Sequence, residues 1–435
     1  MKHFDAIIIG GGILGCMTAR NLRRWNISTL LVEKEGDICT GITRANSAIV
    51  YPGYDNKPGT RKAEMTVRGC ENMESLCREL DVPFSRCGSL MVAYSRKAAE
   101  VLEKKLQRGA KNGVAGLEIL SGSEAEQLEP MLRKGVVSAL YCPSTGTVNP
   151  WLLGIAAWEN AEKNGAKLQK NTAVLAVIPQ EGGYQVKTNR ETFSCKMVFN
   201  CAGLQADTFC PSVMLEQDSA EYLVFDKLAK KPQRVIFCET EEGKGITAVP
   251  TTQGNLLVES RALPKTLPFA TTTEGLEALH RETKDLLPGM ELKKVIRSFG
   301  AVRPNPHRED GSSIPDFCIE HTAPGFYSLV GIKTPGITCA NELGLYLAQQ
   351  AASYLGAEEN QSFDPLRKAI PKADGEMICH CEGITREEIL EAIRRGATTV
   401  KGVKYRVGAG MGRCQGSRCS FEIQKLLEEY GHGKI

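Results

Sequence analysis

The stretch FDAIIIGGGILG (residues 4–15) decides how the rest of the chain is read. Its first half is an isoleucine-rich run, the pattern of a strand buried on both faces of a parallel sheet. The chain turns at Gly10–Gly15 and continues into CMTARNLRRW (16–25), whose apolar spacing suits a helix. A second strand, STLLVEK (28–34), follows and brings Glu33 to its end. Strand, glycine turn, helix, strand, acid is the order of a dinucleotide-binding unit. Gly10 permits the tight turn, Gly12 lets the backbone approach a pyrophosphate, and Gly15 lets the helix lie against the sheet. The helix N-terminus offers free N–H groups and a positive dipole end to phosphate. Glu33 is placed to accept hydrogen bonds from a ribose. The fingerprint alone does not separate NAD from FAD.

Around this unit, 435 residues are enough for two or three cores. The net charge is only +3 and no long basic block occurs, so nothing asks for nucleic acid. No apolar run is long enough to span a bilayer, and the opening stretch is too short and glycine-rich for a signal peptide. A cytoplasmic protein without a transmembrane segment is expected. Most of the 16 cysteines stand singly in apolar surroundings, as Cys39 and Cys201 do, which reads as small buried thiols in a reducing compartment. Four near the end are spaced in pairs instead: Cys379/Cys381 and Cys414/Cys419.

Five further segments separate the cofactors: GITRANSAIVYPGYDNKPGTRKAEM (41–65), ALYCPSTGTVNPWLLGIAAWENAEKNGAKL (139–168), MVFNCAGLQAD (197–207), IRSFGAVRP (296–304) and GFYSLVGIKTPGITCANELGLYLA (325–348). In this order they resemble the D-amino-acid-oxidase-like FAD oxidoreductases, above all the branch of bacterial glycerol-3-phosphate and L-2-hydroxyglutarate dehydrogenases. The resemblance covers roughly residues 4 to 355. It implies an α/β fold, with an FAD-binding Rossmann-like domain joined to an antiparallel-sheet substrate domain. It implies that Arg44, Ala45, Asn46 and Ser47 lie along the flavin, and that Val174 touches the adenine through its backbone. Ala202 and Gly203 would close over the dinucleotide. Gly331, Ile332, Gly336, Ile337 and Thr338 would pass the pyrimidine edge of the ring, where a helix N-terminus favours negative charge. The flavin region is expected over 1–356, with substrate-domain segments at roughly 70–138 and 208–295. Within these, SLMVAYS, YLVFDKL, RVIFCET, GITAVPTT and NLLVES read as strands. AAEVLEKKLQRGAKNG reads as a helix with a solvated charged face.

By the same resemblance, the reaction is hydride removal from a carbon bearing a hydroxyl or amino group, and Arg303 matches the family's substrate-anion arginine. A guanidinium grips carboxylate or phosphate in a fork. The sequence departs from the family at three places. Tyr51 and Gln253 stand where histidines are usual, and Lys333 stands where an acid or amide is usual. Lys333 would add a second cation beside the flavin for a doubly charged anion. Tyr51 can exchange a hydrogen bond, but a phenol is a weak base at neutral pH. His307, four residues beyond Arg303, is a candidate substitute that reads more readily as solvent-facing.

Residues 357–376 are polar and proline-containing, and read as a linker. Beyond them, over 377–435, come Cys-x-Cys, a helix opened by Thr385 with Glu388 three residues on, a glycine-rich stretch, and Cys-x4-Cys. Four thiolates hold zinc or an iron–sulfur cluster, and two disulfides are the remaining option. The segment resembles the 2Fe–2S module of bacterioferritin-associated-ferredoxin type, a small helical domain. Cys379, Cys381, Cys414 and Cys419 are then the ligands, and Lys401, Lys404, Arg406 and Arg413 suit the negative charge of a cluster. A one-electron centre implies a dehydrogenase that passes electrons to a flavoprotein or another redox subunit. The expected enzyme is therefore an FAD- and 2Fe–2S-dependent dehydrogenase of a small anionic hydroxy substrate, glycerol 3-phosphate or a 2-hydroxy acid. An amino-acid or opine dehydrogenase, an electron-transfer subunit without turnover, and a zinc-stabilised scaffold are the alternatives.

Overall fold

In this computed structural model, which describes residues 1–260 and 268–432, the isoleucine run becomes the strand Lys2–Ile9. Ala6, Ile7 and Ile8 are fully buried because both faces of the strand are covered. The strand pairs in parallel with Thr29–Val32 on one side and Thr192–Asn200 on the other. Thr29–Val32 continues to Lys167–Gln169, again in parallel. The far edge of Thr192–Asn200 is shared. Its first half carries the antiparallel hairpin Val174–Gln180 with Gly183–Thr188, and its last residues pair in parallel with Phe326–Val330.

The first helix, Ile13–Leu22, is sandwiched between this sheet and two long helices, Pro150–Lys163 and Gly336–Leu355. Pro150 opens its helix behind Asn149, whose side chain accepts from the Leu152 N–H, a start with its cap already supplied. The helix Arg61–Glu79 packs beside Gly336–Leu355. Its Cys70, Met73, Leu76 and Cys77 join the cluster that holds Ile8 and Leu31. Residues 70–80, expected with the substrate domain, thus belong to the flavin-side core. Apolar residues recurring every three or four positions form a helix stripe, and Gly336–Leu355 supplies the face that covers it.

The expected substrate-domain strands form a second sheet, in the order Val295–Arg308, Val213–Phe225, Leu256–Glu259, Gly243–Pro250, Val235–Thr240, Ser89–Ala93, Ser138–Cys142, Glu118–Ser121. All neighbours are antiparallel except Val235–Thr240 with Ser89–Ala93. The sheet runs past residue 295, because Val295–Arg308 pairs along the whole length of Val213–Phe225 and sets Asp218 opposite Arg303. Residues 261–267, inside the segment expected over 208–295, and 433–435, inside that over 377–435, lie outside the described residues.

The C-terminal unit is small and helical: Arg386–Arg394, Val400–Val407 and Ser420–Glu429, with a two-strand ladder Met377–Cys379 and Ile384–Thr385. Ile389, Ile393, Val403, Ile423 and Leu427 give it a core of its own. Thr385 caps Arg386–Arg394 in a reciprocal box with Glu388, as its spacing predicts. The stretch 357–376 has no helix or strand, yet it is strapped down. Glu358 O accepts from Asn26 N at 2.9 Å, Asp364 O accepts from the side chains of Asn160 and Asn164, and Arg367 Nε donates to Glu159 at 2.7 Å. No helix among the described residues is long and apolar enough to cross a membrane.

Candidate active site

A cavity of about 590 Å³ opens between the two sheets at the C-terminal ends of the central strands. Its wall begins at the glycine turn. Gly10 has φ +102°, and a Cβ there would sit 2.5 Å from Cys201 O. A Cβ on Gly15 would lie 2.0 Å from Gly10 O, so Gly15 is a packing glycine and does not itself line the cavity. Gly12 differs from both. Around its missing Cβ the nearest atom is Thr43 Oγ1 at 3.5 Å, and the direction is open to the cavity. Gly12 is also the N-cap of the first helix and offers no cap of its own; the Ile13 N–H donates to Thr43 Oγ1 at 3.1 Å, and the rest of that helix end faces the cavity. Glu33 follows: its Oε2 accepts the Gly11 N–H at 2.6 Å and its Oε1 the Glu35 N–H at 2.8 Å. Burial pushes its carboxyl up, against the lowering effect of those two N–H groups.

The remaining predicted cofactor residues divide between wall and support. Arg44, Ala45, Asn46, Ser47, Ala202, Gly203, Ile332, Gly336 and Ile337 line the cavity with Gly10, Gly12 and Glu33. Arg44 Nε is buried without a hydrogen-bond partner among the described residues, a donor left over for a ligand. Val174, Gly331 and Thr338 do not line it. Val174 lies at the start of the outer hairpin strand, and Gly331 lies close against the Pro306 ring. Thr338 is fully buried, its Oγ1 accepting the Tyr51 N–H at 2.9 Å, so it fixes the backbone that carries Tyr51. A helix N-terminus at the cavity wall, a glycine with room beside it and an orphan guanidinium donor fit the pyrophosphate and ribose of FAD.

Tyr51, Arg303 and Lys333 line the same cavity. Sequence reading missed what lies behind them. Arg303 Nη2 donates to Glu259 Oε1, and Lys244 Nζ is 3.8 Å from Glu259 Oε2. The Tyr222 hydroxyl lies beside the same carboxylate and favours its charged form. Glu259 is 2% exposed. Burial opposes its charge most strongly, but Lys244, Arg303 and the Tyr222 hydroxyl together hold its carboxyl below the ordinary range. Burial likewise works against Arg303, and Glu259 outweighs it, leaving the guanidinium more firmly charged than usual. Tyr222 stacks on Phe299 at 4.6 Å across the paired strands Val213–Phe225 and Val295–Arg308, which fixes the ring beside Glu259. Tyr51 Oη is 3.4 Å from Ser47 Oγ. Lys333 donates to Asn305 Oδ1, and Asn305 Nδ2 donates to Asp218 at 2.7 Å. Burial lowers the Lys333 ammonium and Arg303 adds to that effect, while Asp218 opposes both. The arrangement presents two cations to a small anion, each steadied from behind by an acid or amide. Gln253 is exposed in a turn, and His307 Nε2 pairs with Glu216 at 3.4 Å outside the cavity wall, so neither replaces a missing imidazole.

In the C-terminal unit the four paired thiols come together. Cys381 Sγ and Cys414 Sγ are 3.5 Å apart, and Cys379 and Cys419 lie close enough for each to act on the other's charge. The described cysteines form no disulfide. Gly410 N–H donates to Cys379 Sγ at 3.4 Å. The Gly416 N–H acts first, against burial, with the Cys381 thiol and then the Arg418 N–H behind it, to lower the Cys414 thiol, whereas burial and Cys379 push that of Cys419 up to about 12. A Cβ on Gly412 would lie 2.5 Å from Cys381 Cβ, so the two cysteine loops meet only because glycine is there. No three His, Cys, Asp or Glu groups among the described residues converge on one single-ion site. Two close thiol pairs with inward backbone N–H groups fit a four-thiolate cluster. His380, between two of the cysteines, is exposed.

The basic residues expected around the cluster do not act as one set. Lys404 lies near Cys419, and its ammonium falls to about 8, chiefly through burial and then Arg297. Arg413 is exposed. Arg406 turns the other way and grips Asp37 at 2.7 and 3.0 Å, and Lys401 lines the large cavity. The helix that carries them has two sides, one toward the cysteines and one toward the dinucleotide unit, and linear spacing does not say which residue takes which.

Residues 5–350 match the family model described as FAD dependent oxidoreductase, and residues 377–429 match the BFD-like 2Fe-2S binding domain. A protein from Caloramator mitchellensis named glycerol 3-phosphate dehydrogenase is 36% identical over 98% of this chain and 94% of its own. A glycerol 3-phosphate oxidase of Mycoplasma pneumoniae is 29% identical over 78% of this chain and 92% of its own. The solved structure of L-alpha-glycerophosphate oxidase from Mycoplasma pneumoniae, dithionite-reduced with FAD bound, superposes with a TM-score of 0.77 at 26% identity. It covers 86% of this chain and all of that one.

Proposed function

The chain belongs to the FAD dependent oxidoreductase family and carries a 2Fe–2S binding domain, and from that premise we propose that it oxidises a small anionic hydroxy compound, glycerol 3-phosphate before a 2-hydroxy acid. The observation that carries this reading is the pair of cations, Arg303 and Lys333, on the cavity wall. A phosphate dianion takes both, whereas one carboxylate needs only the arginine fork. The name of the Caloramator relative points the same way. Bound FAD supplies a two-electron acceptor and the 2Fe–2S cluster a one-electron carrier. The chain's own residues orient the substrate. Arg303, steadied by Glu259, grips the anion, and Lys333, steadied by Asn305, adds the second contact. Tyr51 takes the substrate hydroxyl in a hydrogen bond and, with Ser47, sets the carbinol carbon at the flavin end of the cavity.

Cys379, Cys381, Cys414 and Cys419 would hold the 2Fe–2S cluster, which would supply a one-electron exit to a redox protein in the cytoplasm. The test is anaerobic mixing of the purified protein with glycerol 3-phosphate, L-2-hydroxyglutarate, lactate, glycine and proline while flavin absorbance is followed. Bleaching by glycerol 3-phosphate at the lowest concentration is expected. Bleaching by the amines alone would move the enzyme to the amino-acid side of the family, and bleaching by none would leave it an electron-transfer subunit.

A further inference from the structure

The cavity wall is not made by the flavin and substrate sheets alone. Thr399, Lys401, Gly402 and Tyr405, all from the C-terminal domain, line it together with the loop that follows Glu33. They arrive on the helix Val400–Val407, which is locked to that loop. Arg406 and Asp37 form a two-point ion pair whose side chains are 3% and 5% exposed. Thr398 Oγ1 donates to Gly36 O at 3.0 Å. A Cβ on Gly402 would meet Asp37 Oδ2 at 2.3 Å, so the helix backbone lies directly on the loop and only glycine allows it. The Tyr405 ring packs tilted against Trp151 of the flavin-side helix, centroids 5.5 Å apart, and Lys170 Nζ donates to Gly396 O at 2.8 Å. The docking is therefore specific, with a buried ion pair at its centre. It places an ammonium and a phenol ring in the cavity that the N-terminal end of the first helix, Gly12 to Leu14, also lines.

We propose that the FAD site is built by both domains: Lys401 and Tyr405 of the iron–sulfur domain close it over the ribose and pyrophosphate, so the domain that takes electrons away also retains the flavin. The chemistry is direct. The pyrophosphate carries negative charge, and the ammonium adds to the helix N-terminus in neutralising it. The Tyr405 ring, held by Trp151, covers apolar surface that would otherwise face water. Arg406 and Asp37 touch no ligand and act as positioning residues. The inference rests on the reading of this cavity as the FAD site.

The experiment uses the full chain, loaded with flavin and cluster, and follows FAD release by the rise in flavin fluorescence after dilution. Lys401→Gln, Tyr405→Ala and the double variant are compared with wild type. Phe421→Ser, at an exposed position in the same domain off the cavity wall, is the control. Iron content and the visible spectrum establish that each variant keeps its cluster. Release about threefold faster is expected for Lys401→Gln, and at least about tenfold for the double variant. Raising salt from about 50 to about 500 mM should speed release from wild type more than from Lys401→Gln, because screening removes what the substitution has already removed. The control should match wild type. Lys401 is exposed, so its variant folds and carries the test even if Tyr405→Ala does not. Release from Lys401→Gln at the wild-type rate, with the wild-type salt response, overturns the two-domain site. Wild-type protein that binds no flavin at all overturns the cavity assignment, and the inference with it.

Discussion

Replacing Arg303 by lysine separates the fork from the charge. In the structure Nη2 of Arg303 is committed to Glu259, while the side chain remains 25% exposed and lines the cavity. A lysine keeps the positive charge but has one ammonium in place of a planar fork. Glu259, buried and ionised, is its nearest strong acceptor, so the ammonium turns inward and the substrate anion loses one charge-assisted hydrogen bond. Such a bond contributes about 1.5–3 kcal/mol, so kcat/KM for glycerol 3-phosphate should fall about 10- to 150-fold. The loss should appear mainly in KM if the anion grip is equal in ground and transition states. It should appear in kcat as well if the grip sets the carbinol carbon. Flavin absorbance should be unchanged, since, among the described residues, the glycine turn and Glu33 that would hold the dinucleotide make no contact with Arg303, whose partner is Glu259. The assay is anaerobic flavin reduction across substrate concentration, with a dye-coupled steady-state rate beside it. A kcat/KM within twofold of wild type, with flavin fully bound, would refute the assignment of Arg303. Lys333→Met should then show the loss instead.

Glu259→Gln leaves the buried Arg303 short of its countercharge and should cost about 3 kcal/mol at neutral pH, read as a lowered melting temperature. The folded carboxyl lies below its unfolded value of about 4.3, so the pairing stabilises above that pH and is lost as pH falls through the folded value. The gap between wild type and variant should therefore narrow below about pH 4, and a gap constant from pH 7 to 3 would count against an ionised Glu259. Gly12→Val should fold and carry no yellow flavin, whereas Gly15→Val should fail to accumulate as folded protein, because its Cβ would press on Gly10 O at 2.0 Å. A flavin-replete Gly12→Val would mean the turn is structural only. Cys414→Ser should lose the cluster, with iron falling from about two per chain, and keep single-turnover flavin reduction, because Ile389, Val403 and Leu427 still core the domain. Transfer to a one-electron acceptor should collapse; undiminished turnover would remove the cluster from the electron path.

What the sequence by itself determined is what neighbouring residues dictate to one another. The buried strand before Gly10, the Asn149–Pro150 and Thr385–Glu388 helix starts, and the close spacing of Cys379 with Cys381 and of Cys414 with Cys419 all depend on residues a few positions apart. So does Gly12, because a turn, a helix start and a backbone approach are settled within one short loop. Cys381, by contrast, meets Cys414 33 residues on only in the folded domain. Distant segments carried the rest. Glu259 was invisible as a functional residue because its partners, Tyr222, Lys244 and Arg303, come from three other strands, and only the register that sets Asp218 against Arg303 brings them together. Helix Arg61–Glu79 joined the flavin-side core because an apolar stripe says that a helix buries one face and does not say against what. The clearest case is Arg406. By composition it read as a cluster-side cation, but Asp37, 369 residues earlier, holds it in a buried pair. A charge buried in that way needs its partner within hydrogen-bond reach, and which partner stands there is decided only when the two domains pack.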